Sequence, residues 1–234
     1  PPILLLDEAT IYNPNHLYGL FSTFNTNAIN HTKLIKGGFP AEYGGRLSSI
    51  LEITMKEGNK NKFEVNGGIG MLSSKLSLEG PINKGKGSFI VSGRRSYIDL
   101  LMKPFIPKSK NNSSYYLYDF NAKFNYSLSE KDRLFLSFFS GLDDAAYTGA
   151  SSLNYGINFG NKTATLRWNH LFNNKIFANT SLIYNDYHNS LTTAQGNYVS
   201  QMYSGIKDLN FKTDWEILPN PNHTIKLGAN YSYN

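Results

Sequence analysis

From residue 62 to the end of the chain, apolar and polar residues alternate with a period of two through one segment after another. The clearest is 116–128, where Tyr116, Tyr118, Phe120, Ala122, Phe124, Tyr126 and Leu128 interleave with Leu117, Asp119, Asn121, Lys123, Asn125 and Ser127. That spacing predicts one strand with an aromatic face and a polar face. The same rhythm runs through 63–71, 76–79, 89–94, 134–138, 163–170, 176–184, 208–217 and 224–231, which predicts about nine strands. Short turns are expected at Pro81, Ser129, Asn173 and Pro219, and longer loops over 97–114, 143–160 and 190–203, with a helical turn at 98–102.

The polar face carries full charges: Asp208, Lys212, Asp214 and Glu216 lie on one side of a single strand and leave nothing apolar there for a second layer. That side meets water, so the aromatic side must meet something apolar. In a soluble sandwich it would meet a second sheet, but sandwich strands average five or six residues. Several runs here reach the ~10 residues that a tilted bilayer crossing requires. Aromatics gather near strand ends, with Tyr116 and Tyr118 at one and Tyr126 and Trp215 at the other, as in a membrane girdle. The pattern favours an all-β membrane protein built on an antiparallel transmembrane barrel.

Composition agrees. Of 234 residues, 14% are aromatic and only 17% charged, poor in charge for a soluble domain. The net charge is +6, yet Lys and Arg are scattered, with only Arg94 and Arg95 adjacent, so no nucleic-acid partner is expected. No run approaches the ~18 apolar residues of a spanning helix. Cysteine is absent, which removes disulfides and thiol chemistry. His16, His31, His170, His188 and His223 show no metal-ligand spacing, so neither metal nor cofactor is expected. No nucleophile arrangement stands out either. The segment His188-Asn189-Ser190 reads as a loop start, with an outer-membrane hydrolase as the enzyme-class alternative.

Residues 1–61 have another character. Ile3–Leu6 predicts a short buried strand ended by Asp7-Glu8; 11–26 reads as an irregular loop with a helical turn around 17–24, followed by a capped turn at 26–30. Strands at 32–36 and 49–55 then flank a turn region containing Gly37, Gly38, Pro40, Gly44 and Gly45. Spacing alone suits a glycine-rich hairpin in any β protein. A phosphate loop is disfavoured, because no Gly-Lys-Ser/Thr ending and no helix follow.

The stretch KLIKGGFPAEYGGRLSSILEITMKEG, best matched over 32–56, resembles the end of the plug domain of TonB-dependent outer-membrane receptors, where two strands around a glycine-bounded turn lead into the barrel. Leu6-Asp7-Glu8-Ala9 is similar to the earlier plug strand and its Asp-Gly turn, with Glu8 where glycine is usual. The resemblance implies the C-terminal part of a small mixed α/β plug over 1–58 and the first strands of a barrel over 59–234. Because the family's barrel has 22 strands, an internal piece of a larger receptor is expected. It further implies energised uptake of a large or scarce ligand such as an iron chelate, cobalamin, glycan or peptide. The implied partners are outer-membrane lipid, the remainder of the barrel, TonB acting through a segment outside this chain, the ligand, and a surface lipoprotein that delivers it. Gly37, Gly38, Gly44, Gly45 and Arg46 become residues of the plug-to-barrel junction. Tyr12, Asn13, His16 and Tyr18 become ligand-contact candidates on an outward plug loop, whose alternative role is packing against the inner wall. The lumen charges Arg94, Lys123, Arg167, Asp208 and Asp214 are candidates to hold the plug. A passive porin or structural barrel is the non-energised alternative.

Overall fold

The computed structural model describes residues 3–16, 21–22, 24–43, 49–105, 113–148 and 153–234. Two main sheets divide them. The first is four-stranded and mixed: β1 (Ile3–Leu6), β2 (Ala9–Ile11), β5 (Ile29–Ile35) and β6 (Ile50–Met55) lie in the order β2-β1-β6-β5. β1 runs parallel to β6 and antiparallel to β2. Between β2 and β5, a two-stranded ladder joins β3 (Asn15–His16) to β4 (Phe21–Ser22), where a helical turn was expected around 17–24; residues 17–20 and 23 lie outside the described set. The capped turn at 26–28 is present, with Asn25 Oδ1 accepting from the Asn27 backbone N–H at 3.1 Å.

Leu6 and Ala9 pair across a two-residue turn in which Asp7 (φ 45°) and Glu8 (φ 76°) are both left-handed. This is the conformation demanded by a tight hairpin whose twist matches its strands, and it explains why Asp-Gly is the favoured sequence there. Glu8 holds the glycine position at some backbone cost.

The second sheet has nine antiparallel strands in sequential order: β7 (Glu64–Ile69), β8 (Ser73–Ile82), β9 (Gly87–Ser96), β10 (Ser114–Ser127), β11 (Asp132–Thr148), β12 (Leu153–Asn173), β13 (Ile176–Gln195), β14 (Tyr198–Asn220) and β15 (His223–Tyr233). It is an open wall, with β7 and β15 at its edges. A helix, α1 (Ile98–Met102), occupies the expected helical turn between β9 and β10.

Two expected loops are corrected. Residues 143–148, 153–160, 190–195 and 198–203 continue β11 to β14 as strand, so the β11–β12 and β13–β14 connections are short, while the 97–113 connection at the same end is long as expected. The reason is a change of phase. In β12, Ala164, Leu166 and Trp168 take even positions, whereas Tyr155, Ile157 and Phe159 take odd ones. A shift of one residue in an alternating pattern imitates a break in the strand. The ladder nonetheless runs from Leu153 to Leu171 against β13 without a bulge, so the apolar side itself changes.

Pairing fixes which residues share a face. Phe124, Leu136, Leu166, Leu182 and Phe211 form one row across β10 to β14, all turned away from the first sheet and all exposed. The opposite face presents Lys123, Ser137, Thr165 and Asn210 at neighbouring registers. An exposed belt of this kind, without charge, is a lipid-facing surface. Leu209 lies in the belt between Tyr184 and Tyr233. Leu209→Arg should therefore cost about 2–4 kcal/mol at mid-bilayer, read from denaturant unfolding in lipid vesicles. An unchanged midpoint would refute the assignment of faces.

Candidate functional site

The first sheet sits against the polar face of the wall, and its core does not close on itself. Leu4, Leu6, Ile11, Phe24, Ile53 and Met55 share one buried cluster with Phe139 of β11. The Phe24 and Phe139 rings lie 6.2 Å apart. Around this apolar contact, the β1–β2 turn, the 12–16 segment and the chain after β6 each place charged or amide groups against the wall.

The turn enters first. Lys123 of β10 is fully buried, and its Nζ donates to both Asp7 carboxylate oxygens, at 3.0 and 2.9 Å, and to the Met55 carbonyl at 3.1 Å. Asp7 also accepts from the Met55 backbone N–H at 3.1 Å and from Ser137 Oγ at 2.7 Å. Glu8 accepts from Asn179 Nδ2 at 3.0 Å and pairs with Arg167 at 3.4 Å. The Arg167 and Arg133 guanidinium carbons lie 4.4 and 4.7 Å from the centre of the buried Phe135 ring, within cation–π range.

The second contact reverses the signs. His16 is 1% exposed and lies between two wall carboxylates: Nε2 meets Asp119 Oδ1 at 2.6 Å, and Nδ1 makes a short contact with Asp143. Asp119 is also held by Arg94, whose Nε lies at 2.7 Å, and Asp143 accepts from Tyr115 at 2.6 Å. Ionised carboxylates only accept, so both ring nitrogens must donate, which requires the imidazolium. Burial alone would lower the His16 pKa, but the hydrogen bonds and charges of Asp119 and Asp143 outweigh it and raise it to about 9.

Tyr12 and Asn13 attach further round. The Tyr12 hydroxyl donates to Asp208 at 2.6 Å and its backbone N–H to Asn161 Oδ1 at 3.1 Å, while Asn161 Nδ2 donates to the Asn13 carbonyl at 3.0 Å. Tyr12 remains 39% exposed. Tyr18 lies outside the described residues. Of the lumen charges, Lys123, Arg167 and Asp208 touch the first sheet or its loops directly, and Arg94 acts through Asp119. Asp214 pairs instead with Lys212 of its own strand.

The third contact was missed from sequence. The Glu57 carbonyl accepts from Ser88 Oγ at 2.7 Å and Asn125 Nδ2 at 2.9 Å, and its carboxylate makes a short bond with Arg133. Gly58 follows with φ +85°, so close to β9 that a Cβ would stand 2.1 Å from the Phe89 carbonyl oxygen. Here the chain crosses from one sheet to the other, at a glycine that reads in sequence as part of an ordinary polar break. Gly37 and Gly38 are also left-handed (φ 68° and 58°) but stand in open space; Gly44, Gly45 and Arg46 lie outside the described residues. His188 pairs with Asn158 at 2.9 Å, and Ser190 accepts from Gln201 at 3.3 Å, on the outer face of the wall.

A small mixed sheet held by buried ion pairs against the polar side of a long antiparallel wall is the architecture of a plugged outer-membrane barrel. No protein-family model and no curated protein matches the chain. Solved structures do. The siderophore receptor PirA from Acinetobacter baumannii superposes with a TM-score of 0.69 at 13% identity, over 99% of this chain and 40% of that one. A mutant of the ferric enterobactin receptor PfeA from Pseudomonas aeruginosa gives 0.68 at 13% identity, over 99% and 41%. The outer membrane transporter YddB from Escherichia coli gives 0.68 at 10% identity, over 99% and 40%. The chain thus has the fold of these outer-membrane receptors, and spans about 40% of their length.

Proposed function

We propose that this chain is the plug-proximal part of a TonB-dependent receptor in the outer membrane of a Gram-negative bacterium, importing a scarce ligand of which an iron chelate is the best-supported class. The observation that carries this reading is the seam itself: Asp7, Glu8, His16 and Glu57 engage Lys123, Arg167, Asp119, Asp143 and Arg133. A permanently open pore has no use for an occluding sheet tied to its wall by buried charges, and a passive scaffold has little use for contacts that can be broken one at a time. The similar structures include a siderophore receptor and a ferric enterobactin receptor, which supports the iron-chelate class. Residues 1–58 are then plug and 59–234 barrel, with Glu57-Gly58 as the crossing. Tyr12 and Asn13 form the floor that a ligand would meet, and His16 anchors that floor from beneath. A non-enzymatic role fits, since His188 and Ser190 are engaged with amides.

The test is uptake of radio-iron chelates by cells expressing the full-length protein, with the proton gradient intact and collapsed. Uptake that stops on collapse is the expected result; uptake indifferent to the gradient would establish the passive porin instead.

A further inference from the structure

The turns at one end of the wall share a chemistry that the contact with the first sheet does not use. Connections 83–86, 128–131, 174–175 and 221–222 join β8 to β9, β10 to β11, β12 to β13 and β14 to β15, all at the end where the chain crosses from the first sheet. They carry Lys84, Lys86, Lys131 and Lys175 against a single acid, Glu130. All four lysines are exposed, and among the described residues none of them is in an ion pair. Other acids of this end are engaged elsewhere: Glu57 with Arg133, Glu64 with Lys62, and Asp132 with His170, Trp168 and Ser129. Lys175 reaches only the Pro219 carbonyl, at 3.3 Å, which leaves its charge uncancelled. The strands joined by the lysine-bearing turns, β8 to β13, are each paired on both sides, so the exposure of these turns does not come from an open edge.

Their depth follows from the register. The row of Leu209, at mid-bilayer, continues through Tyr184, Ala164 and Phe138 to Ala122. Tyr126 and Trp168 share a row four residues nearer the turns. That is ~14 Å along a strand, close to the boundary of a hydrocarbon core ~30 Å thick. Asn83 Nδ2 donates to the Tyr126 hydroxyl at 2.7 Å, which ties the 83–86 turn to this height. Round the outer face the rings of Trp168, His170, Phe172 and Trp215 follow one another, with centres 5.1, 4.3 and 5.2 Å apart. Trp168 Nε1 donates to Asp132 and Trp215 Nε1 to Thr213, each at 3.0 Å, the half-apolar, half-polar placement of rings at a lipid–water boundary. The lysines therefore stand just outside the aromatic girdle, at the depth of lipid headgroups.

We propose that Lys84, Lys86, Lys131 and Lys175 form a rim that binds the phosphates of anionic glycerophospholipids, with the Trp168 to Trp215 stack lying against the glycerol and the upper acyl chains. Short turns of outer-membrane barrels face the periplasm, so the lipid is that of the inner leaflet. Charge and depth select it together. One lysine beside an anionic surface strengthens association about fivefold, and the aromatic stack leads from the same rim into hydrocarbon, where a soluble acidic protein has no counterpart. The assignment rests on the outer-membrane placement proposed above and adds a partner to it.

The test places a bimane fluorophore on Asn174→Cys, beside Lys175, in the full-length receptor with any other cysteine replaced by serine. The receptor is inserted into phosphatidylcholine vesicles containing phosphatidylglycerol or phosphatidylcholine spin-labelled high on one acyl chain. Quenching reports which lipid occupies the rim, and both leaflets have the same composition, so the direction of insertion is immaterial. Wild type should favour phosphatidylglycerol by at least about fivefold, and raised ionic strength should weaken that preference. K84N/K86Q/K131Q/K175Q should bring it close to one, while K84R/K86R/K131R/K175R should keep it. Asparagine suits the left-handed backbone at Lys84 (φ 55°), and every substituted position is an exposed turn residue, so the barrel should fold in both variants. Equal quenching by the two lipids in wild type would overturn the proposal, as would a preference unchanged in the neutral variant. Lysine-dependent binding of polyglutamate without any lipid preference would overturn it in favour of an acidic periplasmic protein. Absence of the preference with uptake still dependent on the proton gradient leaves the transport reading standing; gradient-independent uptake removes that reading whichever lipid is favoured.

Discussion

Lys123→Ala should loosen the plug from the wall by about 3–5 kcal/mol while the barrel stays folded. The size follows from what the substitution leaves behind. Asp7 is buried, fixed in a left-handed turn, and would keep its charge with only a hydroxyl and a backbone N–H as partners. Breaking one side of a buried ion pair costs that much because the remaining charge is unpaired; the pair as a whole contributes far less than its removal suggests. The double variant Asp7→Asn with Lys123→Met should therefore recover most of the loss, since asparagine tolerates the left-handed backbone and no charge is stranded. A single Leu4→Cys substitution in the buried core of the first sheet, made in the full-length protein with any cysteine outside these 234 residues replaced by serine, reports opening through thiol labelling in rising urea. The expected result is a large fall in the labelling midpoint for Lys123→Ala, partial return in the double variant, and wild-type heat-modifiable mobility of the barrel throughout. Equal midpoints for wild type and Lys123→Ala would show that the pair does not hold the plug.

The wall was legible in the sequence wherever one face meets lipid and the other meets polar groups. In β10 that contrast holds for most of the strand, and the 116–128 alternation gives its bounds within a few residues. β12 to β14 run far past the bilayer, and there the contrast reverses: water lies outside and the apolar surface inside. A local pattern cannot tell that reversal from a loop, because only the unbroken ladder with a neighbouring strand shows that the backbone goes on. The site divides similarly. Tyr12, His16 and the lumen charges stand out by residue type and position, yet the joining of His16 to Asp119 and Asp143 spans 103 and 127 residues of sequence. No spacing rule reaches that far. Asp143-Asp144 in particular reads as a polar loop start, although the two carboxylates point to opposite faces of one strand, the first to His16 and the second to Asn158. Gly58 was hidden for a simpler reason: its requirement comes from the Phe89 carbonyl on another strand, not from its neighbours.

His16→Gln should weaken the same seam by about 3–5 kcal/mol at neutral pH, since one cation now serves two buried carboxylates and its removal takes that charge from both. Its pH dependence separates it from the Lys123 contact. The folded-state pKa of His16, raised to about 9, lies above the ~6.5 of an unfolded chain. The stabilisation is thus complete below about 6.5, declines as pH rises above that, and is gone once pH has passed through 9. The groups facing the ring are Asp119 and Asp143, with Arg94 and Tyr115 behind them. Using the Leu4→Cys labelling midpoint, wild type should lose stability steadily between pH 7 and pH 10, and His16→Gln should start low and remain nearly flat, the two curves converging at the alkaline end. Subtracting one curve from the other removes the lysines and tyrosines that titrate in both. Parallel curves would mean that His16 is neutral at pH 7 and that the seam is held by Asp7, Glu8 and Glu57. Convergence would instead make the 12–16 segment the part of the plug whose hold on the wall a local change in proton activity could release, while the Lys123 contact keeps the sheet in place.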